Sequence, residues 1–476
     1  MGKIKFGTDG WRAIISEDFT FENVGIAAQA VADFIKSKKG HVYRRRKVVI
    51  GYDTRFLSDK YAETVASVFA ANGIKSILSD RPCPTPSVSF YIKKHRLTGG
   101  IMITASHNPP AYNGVKYKGY FGGSAGSDII DLIEKRLYKS KVRKMPLEQS
   151  VKKKMVVVED IITTQLEFIK KYADMKTLKK AKLRILVDSM YGTGQTYLGE
   201  ILKNTGIKVD YINTGINPGF NGTAPEPNAH HLKELMGKMK RGGYDLGVAT
   251  DGDADRVGIV DNKGNILTGH KVMALLLLHL LKNRKMTGGV VQTVCGTGLI
   301  TKICKLYNIR HFETPVGFKY IARLMVDKNI LLGGEETGGI GFKNYIPERD
   351  GFLSALLIME LMIKSRMPLD KILTRIDKEF GKYIYERADV VFPASKRKRL
   401  LDGLKKKPLK EILGKKVVEI NDSDGTKFIC EDGSWLLIRL SGTEPKLRIY
   451  SETSSQKRSL RYIKCGKDHA FDIMGA

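Results

Sequence analysis

Cysteine is scarce in this chain, with five residues among 476. An odd number without paired spacing excludes a disulfide framework and argues against a zinc site. The pattern instead predicts reduced, mostly buried thiols and a cytoplasmic location for the protein. The five cysteines are Cys83, Cys295, Cys304, Cys430 and Cys465.

Long apolar runs are also missing. The longest, at residues 272–281, is too short to span a membrane and predicts a buried helix. Residues 2–6 lead directly into a motif, so we expect no signal peptide. Hydrophobic residues make up 42% of the chain, which is ordinary for a globular protein. The length suffices for several domains with ample cores, and we expect no membrane partner.

Acidic residues are too few to balance the basic ones: 50 Asp and Glu stand against 81 Lys and Arg, a net charge of +31. Such a charge raises nucleic-acid binding as a distant alternative function. The basic clusters avoid the motifs described below and lack the interleaved aromatics of a single-strand binder. We interpret them as solvated surface that steers anionic substrates, and expect no specific nucleic-acid partner. They lie at residues 44–47, 152–154, 396–399 and 405–407.

One hydroxyl stands in a setting suited to phosphate. Ser106 belongs to the Thr-Ala-Ser-His-Asn-Pro segment at residues 104–109, hereafter the Ser106 loop, which follows an apolar strand-like run. Open α/β sheets bind ligands at the carboxyl ends of such strands. Basic groups are near in sequence at His107, Lys116 and Lys118. A hydroxyl in this place can carry a phosphoryl group, although a polar strand-to-turn junction is the simpler alternative.

Three carboxylates follow a second strand-like segment. Asp251, Asp253 and Asp255 alternate with small residues in the segment 251–256, hereafter the aspartate loop. In an extended backbone, alternate side chains project to one side, where like charges repel unless a cation lies among them. Oxygen ligands select a hard ion such as Mg²⁺. An EF-hand is excluded because Arg256 occupies its glycine position, and an acidic turn in solvent is the alternative.

Two further segments suit a phosphorylated polyol. At residues 439–445, a glycine turn with Ser and Thr hydroxyls is flanked by Arg439 and, further on, Arg448, which can donate bidentately to phosphate. At residues 333–339, four glycines let a ligand approach the backbone, and Glu335 can accept from sugar hydroxyls. Each segment alone can be an ordinary polar loop, but their joint occurrence favours a sugar phosphate site.

A strand–turn–helix–strand pattern recurs at residues 48–74, 185–207 and 290–309. This pattern is the unit of an α/β layer. After residue 368 the chain becomes strongly basic and then strand-rich. The sequence therefore predicts an α/β protein of four domains around a central cleft: three related α/β domains with mixed sheets, then a smaller α+β C-terminal domain. We place the domains at residues 1–150, 151–262, 263–372 and 373–476.

Taken together, these segments resemble the α-D-phosphohexomutase superfamily, the phosphoglucomutase and phosphomannomutase enzymes. The resemblance runs nearly end to end, with the segments in the family's order. They are residues 7–12, 51–55, the Ser106 loop, residues 113–116, the aspartate loop, and residues 334–339 and 439–445. The resemblance implies that the four domains carry, in turn, the phosphoserine loop, the metal loop, the sugar-recognition loops and a phosphate-binding site.

The resemblance also implies roles for individual residues. Ser106 matches the phosphoserine, which with three aspartates binds one Mg²⁺ per chain; the aspartates are Asp251, Asp253 and Asp255. Residues implied near the transferring phosphate are Arg12 and Lys116. His107 neighbours Ser106 in sequence, and we expect it either to assist phosphate binding in catalysis or to anchor its loop by a hydrogen bond. Lys116 matches a group that serves either proton transfer or charge pairing. Thr337 stands where relatives usually have serine. The residues implied in substrate binding are Arg256, Gly317, Phe318, Lys319, Glu335, Thr337, Arg439, Ser441, Gly442, Thr443 and Arg448.

The implied activity is an intramolecular phosphotransferase that interconverts hexose 1-phosphate and hexose 6-phosphate. It proceeds through phosphoserine and a 1,6-bisphosphate, with glucose 1,6-bisphosphate as activator. An aromatic residue before the lysine, as in Phe318–Lys319, favours glucose over mannose. Alternatives are a mannose-dominant enzyme and a sugar-bisphosphate synthase or phosphatase on the same scaffold. The expected partner is the hexose phosphate, and the expected state is a monomer or homodimer.

Overall fold

The structure is a computed structural model that describes residues 4–7, 9–37, 46–441 and 446–475. The chain divides into two compact units. The first unit comprises Met1–Thr287 and Gly317–Asp370, and the second comprises Gly288–Val316 and Lys371–Ala476. The residues that the sequence predicts to transfer phosphate all lie in the first unit.

The strands of the described residues follow in chain order. They are β1 (Trp11–Ile14), β2 (Lys47–Tyr52), β3 (Lys75–Ser79), β4 (Gly99–Ile103), β5 (Tyr112–Gly119), β6 (Val156–Glu159), β7 (Arg184–Asp188), β8 (Lys208–Ile212), β9 (Leu246–Thr250), β10 (Val257–Val260), β11 (Gly289–Thr293), β12 (His311–Thr314), β13 (Ile330–Gly334), β14 (Ile340–Phe342), β15 (Ile384–Val391), β16 (Glu411–Ile412), β17 (Lys415–Asn421), β18 (Thr426–Cys430), β19 (Trp435–Leu440) and β20 (Lys446–Thr453).

The helices alternate with the strands through most of the chain. They are α1 (Phe21–Lys36), α2 (Ser58–Ala71), α3 (Thr85–His95), α4 (Ser127–Glu134), α5 (Leu147–Lys152), α6 (Thr163–Tyr172), α7 (Met175–Lys179), α8 (Tyr197–Leu202), α9 (Lys233–Lys240), α10 (Gly269–Leu278), α11 (Gly298–Leu306), α12 (Phe318–Asp327), α13 (Gly351–Ser365), α14 (Leu369–Phe380), α15 (Arg397–Lys406) and α16 (Gln456–Met474). The apolar run at 272–281 falls mainly in α10, whose leucines are buried as predicted.

The first sheet is mixed and has the order β1-β5-β4-β2-β3-β6. Strands β2, β3, β4 and β6 run parallel, whereas β5 is antiparallel to both β1 and β4. Every residue of β4 is buried, as expected for a central strand. The Ser106 loop leaves the carboxyl end of β4, beside the loop that follows β2. Because β6 pairs with β3, this sheet extends beyond residue 150, where the sequence suggested a boundary. The remaining boundaries stay predictions.

The second sheet, β10-β9-β7-β8, has parallel β7, β8 and β9 and an antiparallel edge strand β10. The aspartate loop joins β9 to β10 and therefore lies at the carboxyl end of a fully buried strand. In the same unit, β13 and β14 pair antiparallel and the segment 335–339 connects them. Three connections that carry predicted site residues thus belong to the first unit.

The second unit contains a six-stranded sheet, β15-β20-β19-β18-β17-β16, whose neighbouring strands are all antiparallel. Helices α15 and α16 cover it through a core that includes Leu400, Leu404, Leu436, Ile449 and Tyr462. A parallel pair, β11 with β12, belongs to the same unit. This strand-rich segment agrees with the predicted α+β C-terminal domain.

The cysteines are free thiols, of which four are buried and Cys465 is half-buried, as the sequence predicts. Burial raises the pKa of the Cys83 thiol to about 12, which makes it a poor nucleophile at neutral pH. Of the helices in the described part of the chain, none is both long enough and apolar enough to cross a membrane.

Candidate active site

The Ser106 loop is held by a buried arginine. Arg55, which follows β2, donates hydrogen bonds of 2.6 to 2.9 Å to the backbone carbonyls of three residues of this loop and of one residue at the start of β5. Those carbonyls belong to Ser106, Asn108, Pro109 and Tyr112. Asp53 neutralises the guanidinium at 3.2 Å. Ser106 itself has a φ of 53°, and its N–H donates to Oγ1 of Thr104 at 2.8 Å. This bracing fixes an otherwise unfavourable backbone conformation.

The aspartate loop is a tight turn between two strands. The prediction that its carboxylates converge because the backbone is extended is wrong. Ala254 has a φ of 55°, and Oδ1 of Asp251 accepts the backbone N–H groups of Asp255 and Arg256 at 3.1 Å each. The turn nevertheless brings one oxygen from each of Asp251, Asp253 and Asp255 within 4.8 Å of one another. All three residues are buried.

Ser106 meets this cluster directly. Its Oγ donates a hydrogen bond of 2.8 Å to Oδ2 of Asp251. The two loops come this close because Gly252 has no side chain. Ser106, the predicted phosphate carrier, and Asp251, a predicted cation ligand, are thus hydrogen-bonded although they lie 145 residues apart in the sequence.

The donor set of the cluster fits Mg²⁺. Within the described residues, Oδ1 of Asp253 and Oδ1 of Asp255 are buried atoms with no hydrogen-bond partner. Burial and repulsion from Asp255 and Asp253 raise the pKa of Asp251 well above its ordinary value. A bound cation would coordinate the unpartnered oxygens and would offset the repulsion between the carboxylates. Carboxylate oxygens alone, without nitrogen or sulfur, are the ligands of a hard ion.

Lys116 lies against the same carboxylates. Its Nζ is 2.8 Å from Oδ2 of Asp253, 2.9 Å from Oδ2 of Asp9 and 3.5 Å from Oδ2 of Asp255. Burial alone disfavours the ammonium, but these three carboxylates outweigh it and raise the pKa of Lys116 above its ordinary value. Lys116 therefore holds its proton at neutral pH and supplies positive charge.

His107 and Arg12 flank Ser106. The Nδ1 of His107 lies 3.4 Å from Ser106 Oγ. Burial, together with the nearby cations of Arg256 and Arg12, lowers the pKa of His107 well below its ordinary value. The imidazole is therefore neutral and acts as a hydrogen-bonding group. Arg12 donates to Oδ1 of Asn108 at 2.6 Å, which ties it to the Ser106 loop.

Arg349 links the phosphate-transfer residues to the predicted sugar-binding segment. Its Nη2 lies 2.7 Å from Oδ2 of Asp255 and 2.9 Å from Oδ2 of Asp9. Its Nη1 lies 3.3 Å from Oε2 of Glu335. Burial raises the pKa of Glu335 to about 7, and Arg349 opposes that shift. The ring of Phe318 lies 5.1 Å from the guanidinium carbon.

Three further residues predicted in sugar recognition are Thr337, Gly317 and Lys319. Oγ1 of Thr337 is buried and has no hydrogen-bond partner among the described residues. Gly317 is the N-cap residue that precedes α12, and its φ of 130° lies in the region that favours glycine. The Nζ of Lys319 lies over the ring of Tyr320 at 5.2 Å.

The predicted phosphate-binding residues of the C-terminal region belong to the second unit. Arg439 and Arg448 are directly paired on β19 and β20. Arg439 donates to Oδ2 of Asp424 at 2.8 Å, and the carbonyl of Ser441 accepts from Arg397 at 3.1 Å. Gly442 and Thr443 lie outside the described residues.

Sequence reasoning gave no role to four charged residues that shape the site, and it named Lys118 only as a basic group near Ser106. Two of them, Asp9 and Arg55, stand inside the motifs at residues 7–12 and 51–55, where a charged residue in a glycine-containing segment was a usable signal. Lys118 forms an ion pair with Glu348 at 2.5 Å, and Glu348 also contacts Arg349 at 3.2 Å. The Glu-Arg-Asp-Gly run that contains Glu348 and Arg349 gave no signal, because only tertiary contact reveals its partners.

Four domain models of one protein family match successive parts of the chain. The phosphoglucomutase/phosphomannomutase α/β/α domains I, II and III match residues 3–144, 165–264 and 268–380, and the C-terminal domain of the same family matches residues 395–464. The chain belongs to the α-D-phosphohexomutase superfamily. Membership confirms the predicted class of three mixed α/β domains and a smaller C-terminal domain, while the central cleft stays a prediction.

Individual relatives of this phosphohexomutase match along its whole length. A phosphoglucomutase/phosphomannomutase of Thermococcus kodakarensis is 32% identical over 98% of both chains. A phosphoglucosamine/phosphogalactosamine mutase of Sulfurisphaera tokodaii is 30% identical over 96% of both. A Thermus thermophilus structure assigned as a phosphomannomutase is 29% identical, with a TM-score of 0.85 over 100% of both chains. The protein is therefore an isomerase, a hexose-phosphate mutase.

Proposed function

We propose that this mutase interconverts glucose 1-phosphate and glucose 6-phosphate, with mannose phosphates as secondary substrates, through phosphorylated Ser106 and a hexose 1,6-bisphosphate. The observation that carries the proposal is the 2.8 Å hydrogen bond from Ser106 Oγ to Asp251 in a buried three-carboxylate cluster. An unmodified serine hydroxyl does not need a cation site beside it. A phosphoserine does, because its negatively charged oxygens require cations or hydrogen-bond donors.

In the proposed transfer, the bond from phosphorus to Ser106 Oγ breaks as a bond forms from phosphorus to a hydroxyl oxygen of the hexose monophosphate. In this half of the cycle the sugar hydroxyl loses a proton and the departing serine oxygen takes one up. When the other phosphate returns to Ser106, the serine hydroxyl loses its proton and the sugar oxygen takes one up, so each half balances. Positioning and positive charge are the main requirements of such a step. Lys116, Arg12 and Arg256 supply charge from the protein, and neutral His107 supplies a hydrogen bond to the serine.

Asp251, Asp253 and Asp255 would hold Mg²⁺ together with a phosphoserine oxygen. When bound, the ion neutralises phosphoryl charge that builds up during transfer. Lys116 contacts two of these carboxylates, so we assign it to charge stabilisation rather than to proton abstraction. Its elevated pKa supports that choice.

Phosphate and sugar recognition are assigned to other segments. Arg439, Ser441 and Arg448 are proposed as phosphate ligands, since two arginines paired across neighbouring strands suit a dianion. Glu335 and Thr337 are proposed to bind sugar hydroxyls. The unpartnered hydroxyl of Thr337 supports this, because buried polar groups normally have a partner.

A second candidate substrate is glucosamine phosphate. The relative from Sulfurisphaera tokodaii, at 30% identity, is a phosphoglucosamine/phosphogalactosamine mutase, so membership of the family does not by itself select the sugar. Phe318 bears less directly on the choice than the sequence suggested. It is buried, and its ring packs on Arg349.

The test is a coupled assay with glucose 1-phosphate, mannose 1-phosphate and glucosamine 1-phosphate, each with Mg²⁺ and a trace of the matching bisphosphate. We expect the highest kcat/KM for glucose 1-phosphate and no turnover by the Ser106→Ala variant. A higher kcat/KM for glucosamine 1-phosphate would reverse the substrate preference. Release of inorganic phosphate without an isomerised product would favour a phosphatase instead.

A further inference from the structure

We propose that Arg349 is a positioning residue that fixes the Glu335 carboxylate for sugar recognition and ties it to the aspartate loop. The inference rests on the proposed function of Glu335 as a sugar ligand. It adds a residue to which neither the sequence motifs nor the resemblance assigns a role.

The contacts of Arg349 join its own segment to three others in the first unit. Its Nη2 joins Asp9 of the N-terminal segment and Asp255 of the aspartate loop, at 2.9 and 2.7 Å. Its Nη1 reaches Glu335 after β13 at 3.3 Å, and its Nε reaches the adjacent Glu348 at 3.2 Å. A planar guanidinium can donate in these separate directions at once, whereas a lysine ammonium presents one compact centre.

Packing leaves the guanidinium little freedom. Arg349 is 3% exposed, and the Phe318 ring covers one face. A Cβ added to Gly339 would lie 2.4 Å from Cδ of Arg349, so this glycine makes room for the arginine side chain. The arginine is thus held by Phe318 at the start of α12 and by Gly339 on the connection that carries Glu335.

Glu335 depends on this arginine. In the part of the chain that the structure describes, Arg349 is the side chain that contacts the Glu335 carboxylate. Without it, a buried carboxylate would lose its ion-pair partner and its fixed orientation. Because Arg349 also contacts Asp255, it sets the position of the sugar ligand relative to the proposed cation site.

A double-mutant cycle between Arg349→Lys and Glu335→Gln tests the inference. With glucose 1-phosphate as substrate, we expect Arg349→Lys to lower kcat/KM by about tenfold or more, a loss of transition-state stabilisation. In the Glu335→Gln background, the same change should cost less than about threefold, because the group it positions is already altered. The matched control is Arg284→Lys, at a half-buried arginine that pairs with the buried Glu360 at 2.7 Å outside the site.

The control should leave kcat/KM within about twofold of wild type per folded molecule, whatever its effect on the melting temperature. Equal losses from Arg349→Lys in both backgrounds would overturn the inference while leaving the proposed function intact. A wild-type enzyme inactive on every hexose phosphate would overturn the proposed function and this inference with it.

If Arg349→Lys does not fold, Gly339→Ala provides the second variant. It displaces the arginine side chain without removing its charge, and the φ of Gly339 is not in the left-handed region. We expect the same suppression of its effect by Glu335→Gln. Additive effects of Gly339→Ala and Glu335→Gln would contradict the positioning role.

Discussion

A Cβ on Gly252 would lie 2.5 Å from the backbone carbonyl oxygen of Ser106. That oxygen is backbone and cannot rotate away. We therefore predict that Gly252→Ala separates the aspartate loop from the Ser106 loop and lowers kcat by roughly 100-fold, the typical cost of misplacing reacting groups by about 1 Å. Steady-state kinetics at saturating hexose phosphate measures this loss.

Gly237, inside α9, is the matched glycine: beyond the backbone of its own helix and its two chain neighbours, no heavy atom lies within 4 Å of an added Cβ. Gly237→Ala should leave kcat unchanged and stabilise the protein by about 0.5–1 kcal/mol through helix propensity. Wild-type kcat in Gly252→Ala would show that the two loops need not touch.

Arg55 offers a stability prediction. Arg55→Met removes three hydrogen bonds to the Ser106 loop and one to Tyr112, and it leaves the buried Asp53 without its cation. We expect the free energy of unfolding to fall by roughly 3–5 kcal/mol, as for other broken buried pairs. Urea denaturation measures it, and adding Asp53→Asn should recover part of the loss because no charge is then left alone.

The fold class was readable from the sequence because strands and turns recur with the period of an α/β unit, and the motifs marked which connections carry chemistry. Ser106, Lys116 and the three aspartates were found because their residue types are informative in local context. The aspartate loop was found for a partly wrong reason: its carboxylates converge through a turn around Ala254.

Arg349 and Glu348 escaped sequence reasoning for a physical cause. Arg349 acts through contacts with Asp9 and Asp255, and Glu348 through a contact with Lys118, all from distant parts of the chain. A charged residue on a connection usually faces solvent, so its sequence neighbours do not distinguish a buried bridge from a surface charge. The direction of the His107 pKa shift likewise needs the positions of several arginines.

Glu335 should give the enzyme a pH dependence. Burial raises its pKa to about 7, so the carboxylate loses its negative charge as pH falls below that value. If the ionised form accepts sugar hydroxyls, kcat/KM should decrease from pH 8 to pH 6. The substrate phosphate also titrates near pH 6. The two proteins are therefore compared by the decrease in kcat/KM between pH 8 and pH 6. Wild type should show a larger decrease than Glu335→Gln, and equal decreases would contradict the assignment.

Removal of the cation should be visible in stability as well as in activity. Mg²⁺ that binds the folded state at 100 times its Kd raises the free energy of unfolding by about 2.7 kcal/mol. We expect Mg²⁺ to raise the melting temperature of wild type, EDTA to reverse this, and Asp253→Asn to abolish it. Asp188→Asn, at a buried aspartate in β7, is the control and should retain the increase in melting temperature with Mg²⁺. The same increase in Asp253→Asn would contradict the proposal that the aspartate loop binds the metal.

The most direct test of the account is to locate the phosphoryl group during turnover. The protein is incubated with glucose 1,6-bisphosphate labelled with ³²P, digested, and its phosphopeptides are sequenced by mass spectrometry. We predict phosphate on Ser106 that is discharged when unlabelled glucose 1-phosphate and Mg²⁺ are added. An active enzyme with the label on another residue, or with no labelled peptide, would contradict the central claim that Ser106 carries the phosphate.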